Sequence, residues 1–281
     1  MSQHQPATEV ADNEAPETME GWYVLHDGYD IDWAAWRVAD DKTKHHALDE
    51  LIAWNGRQRH VGEQAGDSSV YTIVGQKAEL MWIHYRRTPS ELASLERSLR
   101  ACAIFDFLVP AYSYLSVIEA SLYEATAIAH GMLARQGLSP GKEGFEAAFA
   151  EELERQREHL HQRVFRTIPE QTHVCIYPMN KRRGEQVNWY DLPLEDRRKL
   201  MRSHGKLGRK YVDRVTQVIS GSVGLDDWEW MVDLHADDPL MFKKLVYEMR
   251  FDLASARYAE FGDFLIGLRR SDDELRQHLN L

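Results

Sequence analysis

The chain repeats one order of elements, and this repetition constrains its fold more than any other feature. Trp22 to Leu25 reads as a strand, and Ala47, Leu48, Leu51 and Ile52 mark a helix. Ser69 to Gly75 and Glu79 to Arg87 read as a strand pair. Thr88-Pro89-Ser90-Glu91 then opens a helix with proline in its first turn. Tyr112 to Leu122 returns as a strand. The order strand, helix, strand, strand, helix, strand recurs in Thr172 to Lys181, Leu194 to Val212, Val215 to Gly221, Asp227 to Ala236, a helix from Pro239, and Phe261 to Arg269. Pro89 corresponds to Pro239, and Leu92, Leu95 and Leu99 correspond to Phe242, Leu245 and Met249. Arg100 corresponds to Arg250.

Two such βαββαβ sets point to an α+β fold made of two ferredoxin-like repeats. Residues 21–124 form the first half and 172–281 the second. Residues 125–171 are a connector outside the barrel, with a Gly/Pro-containing loop around 137–144 and a charged helix from about Phe145. Residues 1–20 are polar and acidic, without a basic or apolar leader segment, and read as a disordered tail. The formal net charge of -11 argues against a general nucleic-acid binder, which needs basic surface. No apolar run approaches a membrane span. Cys102 and Cys175 match no zinc or redox spacing, so we expect buried free thiols, a reducing compartment and a cytoplasmic protein.

Alternation along the strand from Thr172 puts His173, Cys175, Tyr177, Met179 and Lys181 on one face and Val174, Ile176 and Pro178 on the other. The second face is ordinary core. The first mixes a phenol, a thioether and an ammonium; on pattern alone, a solvated edge with an incidental tyrosine also accounts for it. Pro178 cannot donate to a ladder, so the strand is an edge or is bulged there. His204 lies among Leu200, Met201, Leu207 and Tyr211 at helical spacing, on or beside the buried face. Such a histidine is either a hydrogen-bonded core residue or an axial ligand of haem iron. Arg163, Arg250 and Lys181 can bind carboxylates if one pocket gathers them. Other groupings, His45-His46 and His159-Leu160-His161 among them, lack the spacing for a shared metal, and there is no phosphate-binding glycine loop.

Three stretches, THVCIYPMNKRR, RSHGKLGRKYVDRVTQVISGSVGLDDWEWMV and DDPLMFKKLVYEMRFDLASARYAEFG, resemble the haem-binding half of the chlorite dismutase superfamily. They cover most of Thr172 to Gly262. The first half is similar in element order and in PAYSYLSVIEAS. The branch resembled is the coproheme decarboxylases. The resemblance implies an α+β barrel, often in a homopentamer, that takes iron-coproporphyrin III (coproheme) and hydrogen peroxide. Two propionates become vinyl groups and the product is haem b. It also implies His204 as the iron ligand, Tyr177 as the residue that forms a radical and Lys181 beside the second reactive propionate. Met179, Arg163, Arg250 and Ser255 match residues holding propionates, and Gln217 matches the distal residue. A chlorite-degrading member is expected to carry arginine at that distal position. Two other readings stand beside it: a haem-binding or haem-transfer protein that uses the same pocket without turnover, and a haem peroxidase, oxygenase or chlorite dismutase-like enzyme acting on a separate substrate.

Overall fold

The computed structural model describes residues 18–59 and 65–279. The first repeat comprises β1 (Thr18–Ile31), α1 (Trp33–Val38), α2 (Asp41–Gln58), β2 (Asp67–Val74), β3 (Leu80–Arg86), α3 (Pro89–Arg100) and β4 (Leu108–Ser121). Two connecting helices follow, α4 (Leu122–Arg135) and α5 (Phe145–Val164). The second repeat comprises β5 (His173–Lys181), α6 (Leu194–Arg209), β6 (Thr216–Gly221), β7 (Trp230–Ala236), α7 (Leu240–Met249), α8 (Leu253–Ala256), β8 (Ala259–Phe261) and β9 (Leu265–Arg269). Helix α9 (Asp272–Leu279) ends the described chain.

The strands pair antiparallel in the order β4-β1-β3-β2 in one half and β6-β7-β5-β9 in the other. Both orders are those of a ferredoxin-like unit, as the repeat predicts. The halves join through β4 with β6 and β2 with β9. At each junction the fourth strand of one unit meets the second strand of the other, which relates the halves by an approximate twofold. The sheet closes into a barrel of eight strands, and β8 extends it beside the end of β5. Closure leaves no open edge in the ring.

Hydrophobic alternation produces three apolar clusters. Val24, Tyr71, Met81, Ile83, Val174, Ile176 and Met231 fill the lumen. Leu48, Leu51, Trp54, Trp82, Leu95 and Leu99 pack the outer face of the first half beneath α2 and α3. Cys175, Tyr177, Val232, Leu234, Phe242 and Leu245 pack the outer face of the second half beneath α7. The corresponding stripes of α3 and α7 therefore do the same work. Thr88 caps α3 through a reciprocal box with Glu91, whereas Pro239 stands just before α7 as its N-cap. Both cysteines are buried and free.

Several boundaries differ from the sequence reading. β1 begins at Thr18, inside the segment expected as tail, because Thr18, Met19 and Glu20 pair with the end of β4. Residues 1–17 lie outside the described residues. The strand expected over Phe261 to Arg269 is split into β8 and β9, and Pro178 supplies the reason. β5 is central, not an edge: it pairs with β7 from His173 to Met179 and, on its other side, with β9 up to Ile176 and with β8 from Met179. Pro178 falls at the change of partner. Its carbonyl accepts from Gly262 N at 2.9 Å. In a strand, a residue's N–H and C=O point the same way, so the missing donor faces the gap between β8 and β9. A Cβ at Gly262 would come within 2.7 Å of the Pro178 ring, so only glycine passes there without displacing it.

Candidate functional site

The outer face of β5 carries the chemistry-bearing residues. Tyr177 is buried, with its ring stacked on Phe264 at 4.4 Å between centroids and tilted against Phe261 at 5.8 Å. Burial holds its phenol well above the ordinary tyrosine range; the neighbouring Cys175 adds to this and Arg250 opposes it. Tyr177 is therefore a neutral phenol near pH 7. The Cys175 thiol is pushed up to about 12, chiefly by burial, so it is not a reactive thiolate. Arg250, just beyond α7, places its guanidinium carbon 4.2 Å from the centre of the Phe261 ring. A cleft of about 370 Å³ opens on this face between α7 and the sheet, lined by Cys175, Phe242, Val246, Tyr247, Arg250 and Phe264 among others.

At the end of β5, Lys181 is buried too. Its ammonium donates to the Ala254 carbonyl at 3.3 Å and lies 4.4 Å from the centre of the Trp189 ring. Burial lowers its pKa to about 8, while Asp252 and Glu229 pull it upward. The Lys181 backbone N–H donates to Glu229 Oε2 at 2.7 Å, which anchors the strand end. Met179 is half-buried between these groups on the same face and pairs with Phe261 of β8.

His204 is held at Nδ1, 2.9 Å from Asp252 Oδ2 and 3.5 Å from Ser255 Oγ. A carboxylate only accepts, so Nδ1 is the donor of this bond, which leaves the lone pair of the neutral ring on Nε2. His204 thus turns towards the start of α8, because the largely enclosed carboxylate of Asp252 draws its Nδ1. Helix α6 has polar and apolar faces, yet Arg197 is its only fully buried residue; Leu200, His204 and Leu207 are half-buried. Its apolar side is incompletely covered by this chain. Gln217, half-buried on the outward face of β6, reaches that side: a Cβ on Gly208, one turn beyond His204, would lie 3.5 Å from Gln217 Nε2.

The fold brings together His204, Lys181 and Ser255 around residues 252–255, Tyr177, Met179 and Arg250 around Phe261, and Gln217 beside α6. Arg163 does not join them. It is exposed in the last turn of α5, which packs chiefly on α4, β1 and β4. Sequence reasoning missed Asp252, Trp189, Phe261 and Phe264. Asp252 sits between two predicted site residues, Arg250 and Ser255, and that position was the available signal.

The family model for chlorite dismutase matches residues 44–270. Among solved structures, a heme-binding protein from Thermus thermophilus is 39% identical, with a TM-score of 0.81 and coverage of 95% of this chain and 98% of that one. A chlorite dismutase variant from Candidatus Nitrospira defluvii shares the fold at 17% identity, with a TM-score of 0.69 and coverage of 93% and 96%. This chain belongs to the chlorite dismutase family.

Proposed function

We propose that the protein is a coproheme decarboxylase: it takes iron-coproporphyrin III and hydrogen peroxide and releases haem b after oxidative loss of two carboxyl groups as carbon dioxide. The observation that carries this reading is Tyr177 and Lys181 on one face of β5, with Lys181 tied to the same short segment as His204. A haem-binding relative and a family of haem enzymes support the porphyrin.

The residues present fit an iron porphyrin. Among the described residues no group of three or more His, Cys, Asp or Glu side chains is placed to hold a metal. An iron here would bring most of its own ligands, as a macrocycle does. His204 Nε2 would supply the remaining protein ligand, and Asp252 would fix its tautomer and strengthen it as a donor. The stacked Tyr177, Phe261 and Phe264 would meet the apolar ring. Lys181, Arg250 and Ser255 would bind propionates, Lys181 recovering its full charge when a carboxylate faces it. Met179 and Gln217 would complete the walls. When bound, the iron porphyrin supplies the oxidising chemistry and is itself the substrate.

The chain's contribution is position and proton control. Tyr177, kept neutral by burial, would give its phenolic hydrogen atom to the peroxide-derived oxidant, leaving an electron-deficient oxygen. That oxygen would take a hydrogen atom from the propionate carbon next to the ring and so restore the phenol. The second electron and the carboxyl proton would pass to the same oxidant as carbon dioxide departs and a vinyl group is left. Over the cycle each propionic acid and each peroxide yield a vinyl group, carbon dioxide and two waters. Gln217, a neutral amide, offers no cation to an oxychlorine anion, which disfavours chlorite as substrate. We extend the proposal to a homopentamer in the cytoplasm; no helix among the described residues is long and apolar enough to cross a membrane.

Addition of peroxide to the coproheme complex, read by mass spectrometry, should give species lighter by one and then two carboxyl groups. Unchanged porphyrin, with binding intact, would instead favour a haem carrier, the reading that the name of the Thermus relative supports.

A further inference from the structure

The ladder between β5 and β7 ends at Met179 and Trp230. One residue further, side chains take the place of the next rungs. The Glu229 N–H donates to Asn180 Oδ1 at 2.7 Å, and the Lys181 N–H donates to Glu229 Oε2 at 2.7 Å. On its other side Lys181 pairs with Ala259 of β8. Glu229 is 6% exposed, so its carboxylate meets these donors away from bulk water.

The same carboxylate reaches the loop of residues 182–193 that leads from β5 to α6. Its Oε1 lies 3.5 Å from Arg183 Nε, and the Tyr190 hydroxyl donates to it. Tyr190 follows Trp189, whose ring centre is 4.4 Å from the Lys181 ammonium. Trp189 is itself fixed: its N–H donates to the Arg182 carbonyl at 2.8 Å, and its ring meets Tyr258 edge-on at 5.5 Å. One buried group therefore joins the backbone beneath Lys181 to the loop that covers its ammonium. For packing alone an apolar side chain would serve as well. A carboxylate adds two things that an apolar group cannot: it holds several donors in set directions, and it puts a second negative charge near Lys181. The other nearby carboxylate, Asp252, is committed to His204 Nδ1. A polar cleft of about 570 Å³, lined by Asn180, Lys181, Arg183, Gly184 and Glu260, opens at this corner, so Lys181 borders open space.

Resting on the reading above, in which Lys181 faces the second reactive propionate, we propose that Glu229 is a positioning residue for the second decarboxylation: it holds Lys181 and the Trp189–Tyr190 stretch as one unit, so that the ammonium meets the carboxylate in a fixed direction. Electrostatics act in the same sense. Burial lowers the Lys181 pKa to about 8, while Asp252 and Glu229 pull it upward, so loss of the Glu229 charge lets it fall further. The charged and titratable groups around Lys181 are Asp252 ahead of α8, Glu229 ahead of β7, Arg183 and Tyr190 in the loop, and Glu260 on β8. Among them, Glu229 is the one that also bonds the Lys181 backbone.

Glu229→Gln tests this. The amide keeps an acceptor for the Lys181 N–H, but it carries no charge and only one of its two ends accepts. With the coproheme complex and peroxide followed by mass spectrometry, loss of the first carboxyl group should proceed as in the unsubstituted protein. Loss of the second should slow by about tenfold. In a Lys181→Met background the same substitution should add nothing to the second step, because Glu229 acts through Lys181. Tyr190→Phe removes one bond on the loop side and keeps the carboxylate; it should slow the second step by less. A ligand-free measurement reads the coupling without the reaction. Denaturant titrations of Glu229→Gln, with and without Lys181→Met, should show the stability due to Lys181 rising with pH from below about 8, earlier than when Glu229 is present. Equal slowing of both steps, an additive effect in the Lys181→Met background, or no earlier onset would overturn the proposal. If Glu229→Gln does not fold, Tyr190→Phe decides, and an unchanged ratio of second-step to first-step rate overturns it. If the unsubstituted protein loses no carboxyl group, the decarboxylase reading falls, and the ligand-free onset still reports whether Glu229 governs Lys181.

Discussion

Replacing Lys181 with methionine should stabilise the ligand-free protein while weakening its hold on coproheme. Lys181 is 7% exposed, and its pKa falls from 10.5 to about 8. At about 1.4 kcal/mol per unit, the protonated form in the fold is disfavoured by about 3 kcal/mol relative to the unfolded chain. Methionine fills similar volume without a charge. It gives up the bond to the Ala254 carbonyl and the contact with Trp189, together worth about 1–2 kcal/mol. The net gain at pH 7 is on the order of 1–2 kcal/mol. The pH dependence isolates the cause. Between about 8 and 10.5 the unfolded lysine holds a proton that the folded one has released, so the wild type gains stability as pH rises through that window. The variant lacks this gain, and its advantage should vanish by the top of the window. Denaturant titrations of both proteins from pH 7 to 10.5 measure the difference directly, cancelling groups they share. A Lys181→Met protein less stable than wild type at pH 7, or an advantage independent of pH, would refute the reasoning. In parallel, coproheme affinity should fall and product should accumulate after loss of one carboxyl group.

Tyr177→Phe should keep coproheme, losing at most about 1–3 kcal/mol of affinity, and should lose nearly all decarboxylation; near-wild-type yield of the doubly decarboxylated product removes Tyr177 from the mechanism. His204→Ala should weaken porphyrin binding and change the iron spin-state spectrum, and Asp252→Asn should shift the same spectrum with a smaller loss of affinity; unchanged spectra would show that the iron is held elsewhere. The haem-bound wild type should release little oxygen from chlorite, because Gln217 is uncharged; rapid release measured with an oxygen electrode would place the protein in the chlorite-degrading branch. Arg163→Ala separates the exposed α5 arginine from the gathered site: coproheme titration should show a loss comparable to that of Arg250→Ala only if Arg163 also reaches a propionate.

What could be read from the sequence is what short range determines. The face shared by Cys175, Tyr177, Met179 and Lys181 follows from the period of a strand, and the fold keeps it intact. The repeated helices α3 and α7 follow from apolar spacing within a dozen residues. Closure of the barrel does not: Val117 with Gly221 and Tyr71 with Arg269 are pairings across the chain that no local pattern announces. The same limit hid the partners that give site residues their character. Asp252 lies 48 positions from His204, yet it decides which imidazole nitrogen is free. Asp233 lies 207 positions from His26 and pairs with it inside a lumen otherwise lined mainly by apolar side chains. Trp189 is near Lys181 in sequence but sits in an irregular loop, where periodicity has nothing to say. Residue type and strand period can therefore nominate a tyrosine, a lysine and a histidine. Their protonation, which the proposed chemistry depends on, is set by neighbours that only the folded chain brings near: burial behind Phe264 for Tyr177, the carboxylate of Asp252 for His204, and the apolar enclosure that leaves Lys181 short of a full counter-charge until a propionate arrives.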